Sequence, residues 1–582
     1  MKTKLFYLLI LPLLFITIQL NAQTGIKIGS NSGFHVSPNT SVYFSNAIEI
    51  QDASVLTIDA TGKAFFAGAI SVGTGNISVL GDIEITNSTQ QTLSNFNMLV
   101  NNLTIGSGSR ITVDPTKQLT VNGILTNNNA TNTRLIIKSD VTGSGSLLHY
   151  TANVPATVER FIQHTAIAPA IEFHMLSSSV AAQNIAPLFN VGDFYVFNES
   201  ISDWVSYNID PTAFAAANNG TANFYPGTGY VVAYPFITTK SFAGLLNQGL
   251  VSKNLTLTAG IWSGWNLVGN PYPSSINWDI DAGFTRNTLV DADPGNPGRK
   301  AMWIWNDIIG NYGVHISNDA TSNTNGVNKN IAIGQGFWVR TTINNGTFSI
   351  NNSAREHSTQ VFLKSSTTAS EMLRLKVTGT TNNYSDEMIV RFGSTSDIGG
   401  AEKMFSIYQT APSLYSIKNN KNWSVNYLTT VAEHPIVPVS FKAGADATYT
   451  IELEGSEWFN YVILEDLKTG IQKNMTTNNT YQFDAKTDDS PNRFLLHFAP
   501  LLGVNEVSKL EPKINYNDQK VKIENPWTGK TKAEIYNING SLLKTFDVKQ
   551  GVEYYNFNPS NGIYIIRLTN ESQTFKTKIV TF

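Results

Sequence analysis

Three apolar–polar–apolar triplets follow one another at a fixed interval: Leu103-Thr104-Ile105, Ile111-Thr112-Val113 and Leu119-Thr120-Val121 begin eight residues apart. A strand this short buries too little surface to stand alone, so triplets of this kind persist only when layered on one another. Echoes occur at Val55-Leu56-Thr57-Ile58, Ile70-Ser71-Val72, Ile77-Ser78-Val79, Ile83-Glu84-Ile85 and Leu135-Ile136-Ile137. Glycine and asparagine fill the gaps, where the chain must turn. The pattern predicts a right-handed, solenoid-like stack over residues 23–146, each coil covering the next; an irregular meander of hairpins is the bland alternative.

The rest of the chain alternates as strands do, at Leu375-Lys376-Val377, Thr450-Ile451-Glu452-Leu453 and Ile535-Tyr536-Asn537-Ile538. Sustained 3.6-residue periodicity is hard to find after the first twenty residues, so the expected class is all-β and multidomain. Residues 147–353 carry an internal duplication. Phe194-Tyr195-Val196-Phe197-Asn198 returns as Met302-Trp303-Ile304-Trp305-Asn306, 108 residues later, and Gly227-Thr228-Gly229 returns as Gly334-Gln335-Gly336, 107 later. Near-constant offsets indicate two copies of one β-unit of ordinary size. His174-Met175-Leu176 stands as the counterpart of the strand around Trp265-Asn266-Leu267, at a smaller offset. Residues 354–502 read as a β-sandwich module, 503–512 as a polar linker, and 513–582 as an immunoglobulin-like sandwich of about seven short strands. Asn539-Gly540 has the residues of a two-residue hairpin turn, and Ile563-Tyr564-Ile565-Ile566, apolar on both faces, should be a central strand.

Lys2 and Lys4 precede an apolar run from Leu5 to Leu20, and Ala22 before Gln23 supplies a small residue for cleavage. Residues 1–22 therefore read as a signal peptide, with no transmembrane segment left after its removal. An uncleaved anchor is the alternative. Cysteine is absent, which removes disulfides, thiolate metal sites and a lipoprotein anchor. A formal net charge of −3, with 14% charged residues, gives no electrostatic case for nucleic acid or an anionic membrane.

A search for chemistry finds little. The eight histidines show no metal-type pair such as HxxxH, and no G-x-S-x-G elbow or P-loop occurs. Asp279, Asp281, Asp291 and Asp293 form the densest acidic cluster. Asp291 and Asp293, on a Gly/Pro-rich loop, are the weak calcium candidates, against the plainer reading of a solvated loop. Trp262, Trp265, Tyr272, Trp278, Trp303, Trp305, Tyr312, Phe337 and Trp338 offer flat rings for sugars, although large aromatics more often fill cores. No cofactor, and no catalytic residue, is expected. Matches to Asn-x-Ser/Thr are numerous, as composition alone would give.

The C-terminal region carries the most specific pattern. Asn525-Pro526, Tyr536, Gly540, Gly562, Tyr564, Arg567, Leu568 and Lys578 fall in the order Glu-Asn-Pro, Ala533 to Gly540, Gly562 to Leu568 and Lys576 to Val580. This order resembles the type A C-terminal sorting domain of the type IX secretion system in Bacteroidetes-type bacteria. The block Gly264 to Asp279, GWNLVGNPYPSSINWD, and the run Ser385-Asp386-Glu387-Met388 resemble segments of large surface proteins that carry the same domain. A departure falls at Gly393 to Lys403, where related modules tend to hold an acidic loop and this chain has Ser394-Thr395-Ser396-Asp397-Ile398. The resemblance implies delivery by the type IX machinery, through the periplasm and outer membrane, to the cell surface or the medium. With no catalytic constellation in the sequence, the leading reading is a non-enzymatic, adhesin-like protein for surface polysaccharide, glycan or matrix ligands. The alternative is a carbohydrate-binding accessory protein or polysaccharide hydrolase whose site carries no familiar motif.

Overall fold

A computed structural model describes residues 25–164, 171–186, 188–189, 193–293, 295–358, 371–397, 399–498, 512–517, 519–570 and 574–581, and the backbone of 17–20. Ala22, Gln23 and the linker 503–511 lie outside the described residues. Strands dominate throughout, and the one α-helix among the described residues, Pro211–Ala217, has Asp210 as its N-cap. Among those residues no helix is long and apolar enough to cross a membrane. Contacts divide the chain after Ala499 into a large unit and a small C-terminal unit.

The N-terminal part of the large unit is a stack of parallel strands. Ser41–Phe44 pairs with Lys63–Phe66, that strand with Asp82–Ile85, then Leu103–Ile105, then Leu125–Asn127, so each coil takes 19–22 residues. The triplets eight residues apart are three successive sides of one coil, and each lies on the matching side of the coil before it. Alternation turns one residue in two inward, so Phe44, Phe66, Ile85, Ile105 and Val121 are fully buried, and the Phe44 and Phe66 rings stack at 4.9 Å. Asparagines at the corners hold the coils in register. Asn76 Oδ1 accepts from Asn97 N, Asn97 Oδ1 from Gln118 N and Asn102 Oδ1 from Ile124 N, each bond reaching one coil onward. Turn backbone that strands cannot satisfy is thus paired by side chains.

The stack ends on Pro155–Ile162, which pairs in parallel with Leu135–Ile137 on one side and antiparallel with Thr238–Leu245 on the other. This strand is also the first of the repeated unit. In copy one a sheet runs in the order Glu172–Leu176, Tyr230–Tyr234, Asp193–Asn198, Asp203–Ser206. In copy two the order is Trp265–Gly269, Gly336–Arg340, Ala301–Asn306, Asn311–Ile316, which is the same topology. The flanking strands agree as well: Val251–Leu255 pairs with Gly346–Ile350 as Pro155–Ile162 pairs with Thr238–Leu245.

The two glycine motifs are where the copies cross. Gly269 N donates to Gly227 O at 3.0 Å, and Ser177 N donates to Gly334 O at 2.9 Å, a reciprocal exchange. Any Cβ on Gly229 would lie 2.5 Å from Val268 O and 2.7 Å from the Leu267 side chain. Gly229→Ala is therefore expected to destabilise the large unit by about 1–3 kcal/mol through overpacking. Thermal unfolding of the purified variant checks this; an unchanged midpoint would mean that the crossing relaxes freely.

Copy two is sandwiched between two cores. Met302, Ile304 and Phe337 face one, with Trp278 and Phe348. Trp303, Trp305 and Trp338 face the other, which also takes Met175 and Val231 of copy one and Met372, Ile389 and Val425 from beyond residue 354. The strands from Met372 to His497 form one eleven-stranded sheet that curls around its own core of Leu375, Val390, Tyr449, Phe483 and Leu496.

The C-terminal unit is a sandwich of a three-stranded and a four-stranded antiparallel sheet closed on Ile523, Trp527, Ile535, Ile566 and Leu568. Gly562–Thr569 is central, with Thr531–Asn537 and Thr574–Thr581 on its two sides. The hairpin at Asn539-Gly540 is one residue longer than its dipeptide predicts. Asn537 N donates to Ser541 O, Gly540 takes φ 79°, and the pairing shifts between Ile535 and Tyr536. A three-residue loop ending in a left-handed glycine needs such a bulge.

Candidate functional site

Alternation along Glu172–Leu176 places Glu172 and His174 on one face of the strand. Asp307, just past Ala301–Asn306 of copy two, comes to the same place. One potential ligand atom from each of Glu172, His174 and Asp307 lies within 4.8 Å of the others. His174 Nδ1 is 3.5 Å from Asp307 Oδ2, and His164 Nδ1 is 3.6 Å from Glu172 Oε2. A cavity of about 150 Å³ adjoins the group, with Arg160, Trp305 and Gln335 in its wall. Arg160 donates to Gln335 Oε1 at 3.3 Å, and Gln335 in turn donates to Met175 O at 3.0 Å.

Burial governs the electrostatics here. Loss of water, then the Glu172 carboxylate, pushes the Asp307 carboxyl up to about 6. Loss of water, then Arg160 and His164, holds the His174 imidazole down at about 3, so it is neutral at physiological pH. Burial also lowers Arg160 to about 10, against the pull of Asp307. At neutral pH the His174 imidazole is therefore neutral, beside the Glu172 and Asp307 carboxyls and the Arg160 guanidinium. That arrangement can bind a cation or exchange a proton, and it joins residues of both copies.

The residues singled out from sequence are placed elsewhere. Asp291 Oδ1 accepts from Lys300 Nζ at 2.7 Å, while Asp293 Oδ2 accepts from Arg299 at 2.9 Å and Asn296 at 2.8 Å. Asp279 accepts from His315 at 2.8 Å, and Asp281 pairs with Arg286. Each of these carboxylates is thus met by a nitrogen donor from nearby, and the four do not converge on a common point. Of the aromatic set, Trp262 is half-buried, and the other eight are buried in the two cores around copy two. The GWNLVGNPYP block is structural in its contacts. Asn270 Nδ2 donates to Ser274 O and Ala332 O, Tyr272 Oη donates to Gly249 O and Ile350 O, and Pro273 O accepts from Leu147 N.

In the C-terminal unit the motif residues separate by face. Tyr564 and Leu568 point inward, and Asn525 is buried, its Oδ1 accepting from Trp527 N. Pro526 follows in the connection, Gly540 is in the hairpin turn, and Gly562 starts the central strand. Tyr536, Arg567 and Lys578 lie outward on the four-stranded sheet, where Arg567 and Tyr536 both donate to Glu534 Oε2. Ile563, Ile565 and Val580 on the same face are 45%, 40% and 41% exposed. Ile563 and Ile565 belong to the central strand and Val580 to the edge strand beside it.

Glu172, His174 and Asp307 were not found from sequence. The repeat contains a usable signal: Asn198-Glu199 at the end of its strand in copy one corresponds to Asn306-Asp307 in copy two. Glu199 is buried too, but Thr258 N and Gly264 N donate to it at 2.7 and 2.8 Å. The same position is closed by backbone in one copy and opens on Glu172 and His174 in the other.

The Minor fimbrium subunit Mfa5 of Porphyromonas gingivalis is 25% identical over 533 residues, 83% of this chain. The chain spans 41% of that relative's length. The solved BSP domain of a biofilm-associated protein aligns with 74% of this chain and 96% of its own at 10% identity, with a TM-score of 0.11. A domain of unknown function, DUF8693, matches residues 76–498, from within the strand stack to the end of the eleven-stranded sheet, and the chain belongs to that family.

Proposed function

We propose that this chain is a non-enzymatic, adhesin-like protein of the cell surface, a subunit or accessory of a surface assembly. The observation that carries this reading is the similarity to a fimbrial subunit across most of the chain. The architecture supports it. A stack of coils runs into the repeated sandwich through the shared strand Pro155–Ile162, which suits a mechanically continuous display element. The calcium and sugar-stacking readings draw less support, because the Asp291 and Asp293 carboxylates are met by Lys300 and Arg299 and most of the aromatics are buried. Surface polysaccharide, glycan or matrix remain the ligand classes proposed.

Export is proposed to run through the signal peptide, with cleavage between Ala22 and Gln23, and then through type IX secretion. Tyr536, Arg567 and Lys578 on the exposed, partly apolar sheet face are the contacts proposed for the machinery. Deleting residues 513–582 is expected to abolish surface labelling and leave the chain in the periplasmic fraction. Cells displaying the full chain should also adhere to glycan- or matrix-coated surfaces better than cells carrying the truncation. Unchanged surface display of the truncated chain would refute the sorting role, and display without any gain in adhesion would refute the adhesin reading.

A further inference from the structure

We propose that Glu172, His174 and Asp307 form a binding site for a divalent transition-metal ion that pins copy one of the repeat to copy two. The three side chains come from both copies and bring potential ligand atoms within 4.8 Å of one another. A second observation points the same way. His174 Nε2 and His164 Nδ1 are both buried, and among the described residues neither has a hydrogen-bond partner. A buried ring nitrogen left unpaired costs free energy of the order of 1–3 kcal/mol, and an ion ligated by His174 Nε2 or His164 Nδ1 would remove that cost. Glu172 is 2% exposed, and His174 and Asp307 are 12% and 16% exposed, so an ion held here would be shielded from competing water.

The ligand chemistry selects the class of ion. One or two imidazoles with two carboxylates suit zinc and its first-row neighbours at about 2.0–2.2 Å. Calcium prefers six to eight oxygens and magnesium a mostly hydrated shell, and neither matches a site built around an imidazole. Arg160 supplies one positive charge against two carboxylates, which leaves the group short of positive charge, and a divalent ion would take Glu172 and Asp307 as direct ligands. The role is structural: in a chain without cysteine, a metal cross-link between two sheets does what a disulfide does in other exported proteins.

The test uses the full chain, stripped with chelator and titrated with zinc chloride by calorimetry, with bound metal counted by elemental analysis. One equivalent is expected to bind and to raise the melting temperature, and calcium chloride is expected to do neither. His174→Ala should lower zinc affinity at least about tenfold, in the range seen when metal-site partners are removed. Should His174→Ala fail to fold, Asp307→Asn, nearly isosteric, is the second variant and should show the same loss. Replacing the stripped metal with cobalt(II) should give a visible absorption band that both variants lose. Absence of a stoichiometric zinc site, or a site that both variants retain unchanged, overturns the proposal and leaves the cluster a buried ion-pair network around Arg160.

Discussion

Lys403→Met is expected to be among the most damaging single substitutions in the large unit, at about 3–5 kcal/mol. Lys403 Nζ lies 2.5 Å from Asp386 Oδ2, and both side chains are fully buried. Methionine fills nearly the same volume, so packing changes little and the effect isolates the charge. What remains is a fully buried carboxyl with no counter-ion. Asp386 also accepts from Leu414 N at 2.6 Å and from Asn325 Nδ2 at 2.9 Å, which fixes its position and prevents escape to water. Removing the partner of a buried ion costs far more than the pair contributes, because the desolvation of the survivor is no longer offset. The double variant Lys403→Met/Asp386→Asn removes both charges and should be less damaged than Lys403→Met alone. Denaturant midpoints for the three variants form the check. A Lys403→Met midpoint matching the unsubstituted chain would mean that water or rearrangement reaches Asp386.

The all-β class was legible in alternation alone, and so was the strand stack. Its coil length was not. The eight-residue spacing of Leu103, Ile111 and Leu119 measures one side of a coil, whereas stacking obeys the 19–22-residue interval between neighbours such as Ile83 and Leu103. That interval is carried by asparagines, Asn76, Asn97 and Asn102, whose side chains bond one coil onward. In a chain rich in asparagine these positions look like composition, because the signal is a spacing between polar residues rather than an apolar period. The duplication was visible for the opposite reason: aromatic and glycine positions repeat because each copy needs the same buried ring positions and the same close crossing.

The Glu172–His174–Asp307 group was only half legible. Glu172 and His174 are two apart on one strand, which any alternation argument places on one face. Asp307 is brought to them only by the packing of copy two on copy one, a contact with no sequence period. The acidic residues that looked most functional, Asp291 and Asp293, sit within a few residues of Arg299 and Lys300, and local pairing with those cations is the cheaper outcome.

A second large effect is expected at Asp319, and it depends on pH. Asp319 lies just past the strand Asn311–Ile316 of copy two, and its Oδ2 is 2.5 Å from Arg391 Nη1 and accepts from Tyr427 Oη at 2.5 Å and Ser322 Oγ at 2.7 Å. Burial alone would raise this carboxyl. The Arg391 guanidinium and the hydroxyl donors overcome it and hold the group down at about 2, against an ordinary 3.8. A folded-state value below the unfolded one means that the stabilisation is fully present above about 4 and is lost as pH falls through about 2. The size follows from the shift, at about 2 kcal/mol. Asp319→Asn keeps the shape and removes the charge. At pH 7 it should be less stable than the unsubstituted chain by at least that amount, since Arg391 and Tyr427 belong to the neighbouring sheet and lose their shared anion. The difference should narrow below pH 4 as Asp319 itself takes up a proton. Parallel unfolding of both proteins from pH 7 to pH 2 reads the gap directly. A gap that stays constant with pH would show that Asp319 acts through shape and hydrogen bonding, and that its charge does not join copy two to the eleven-stranded sheet.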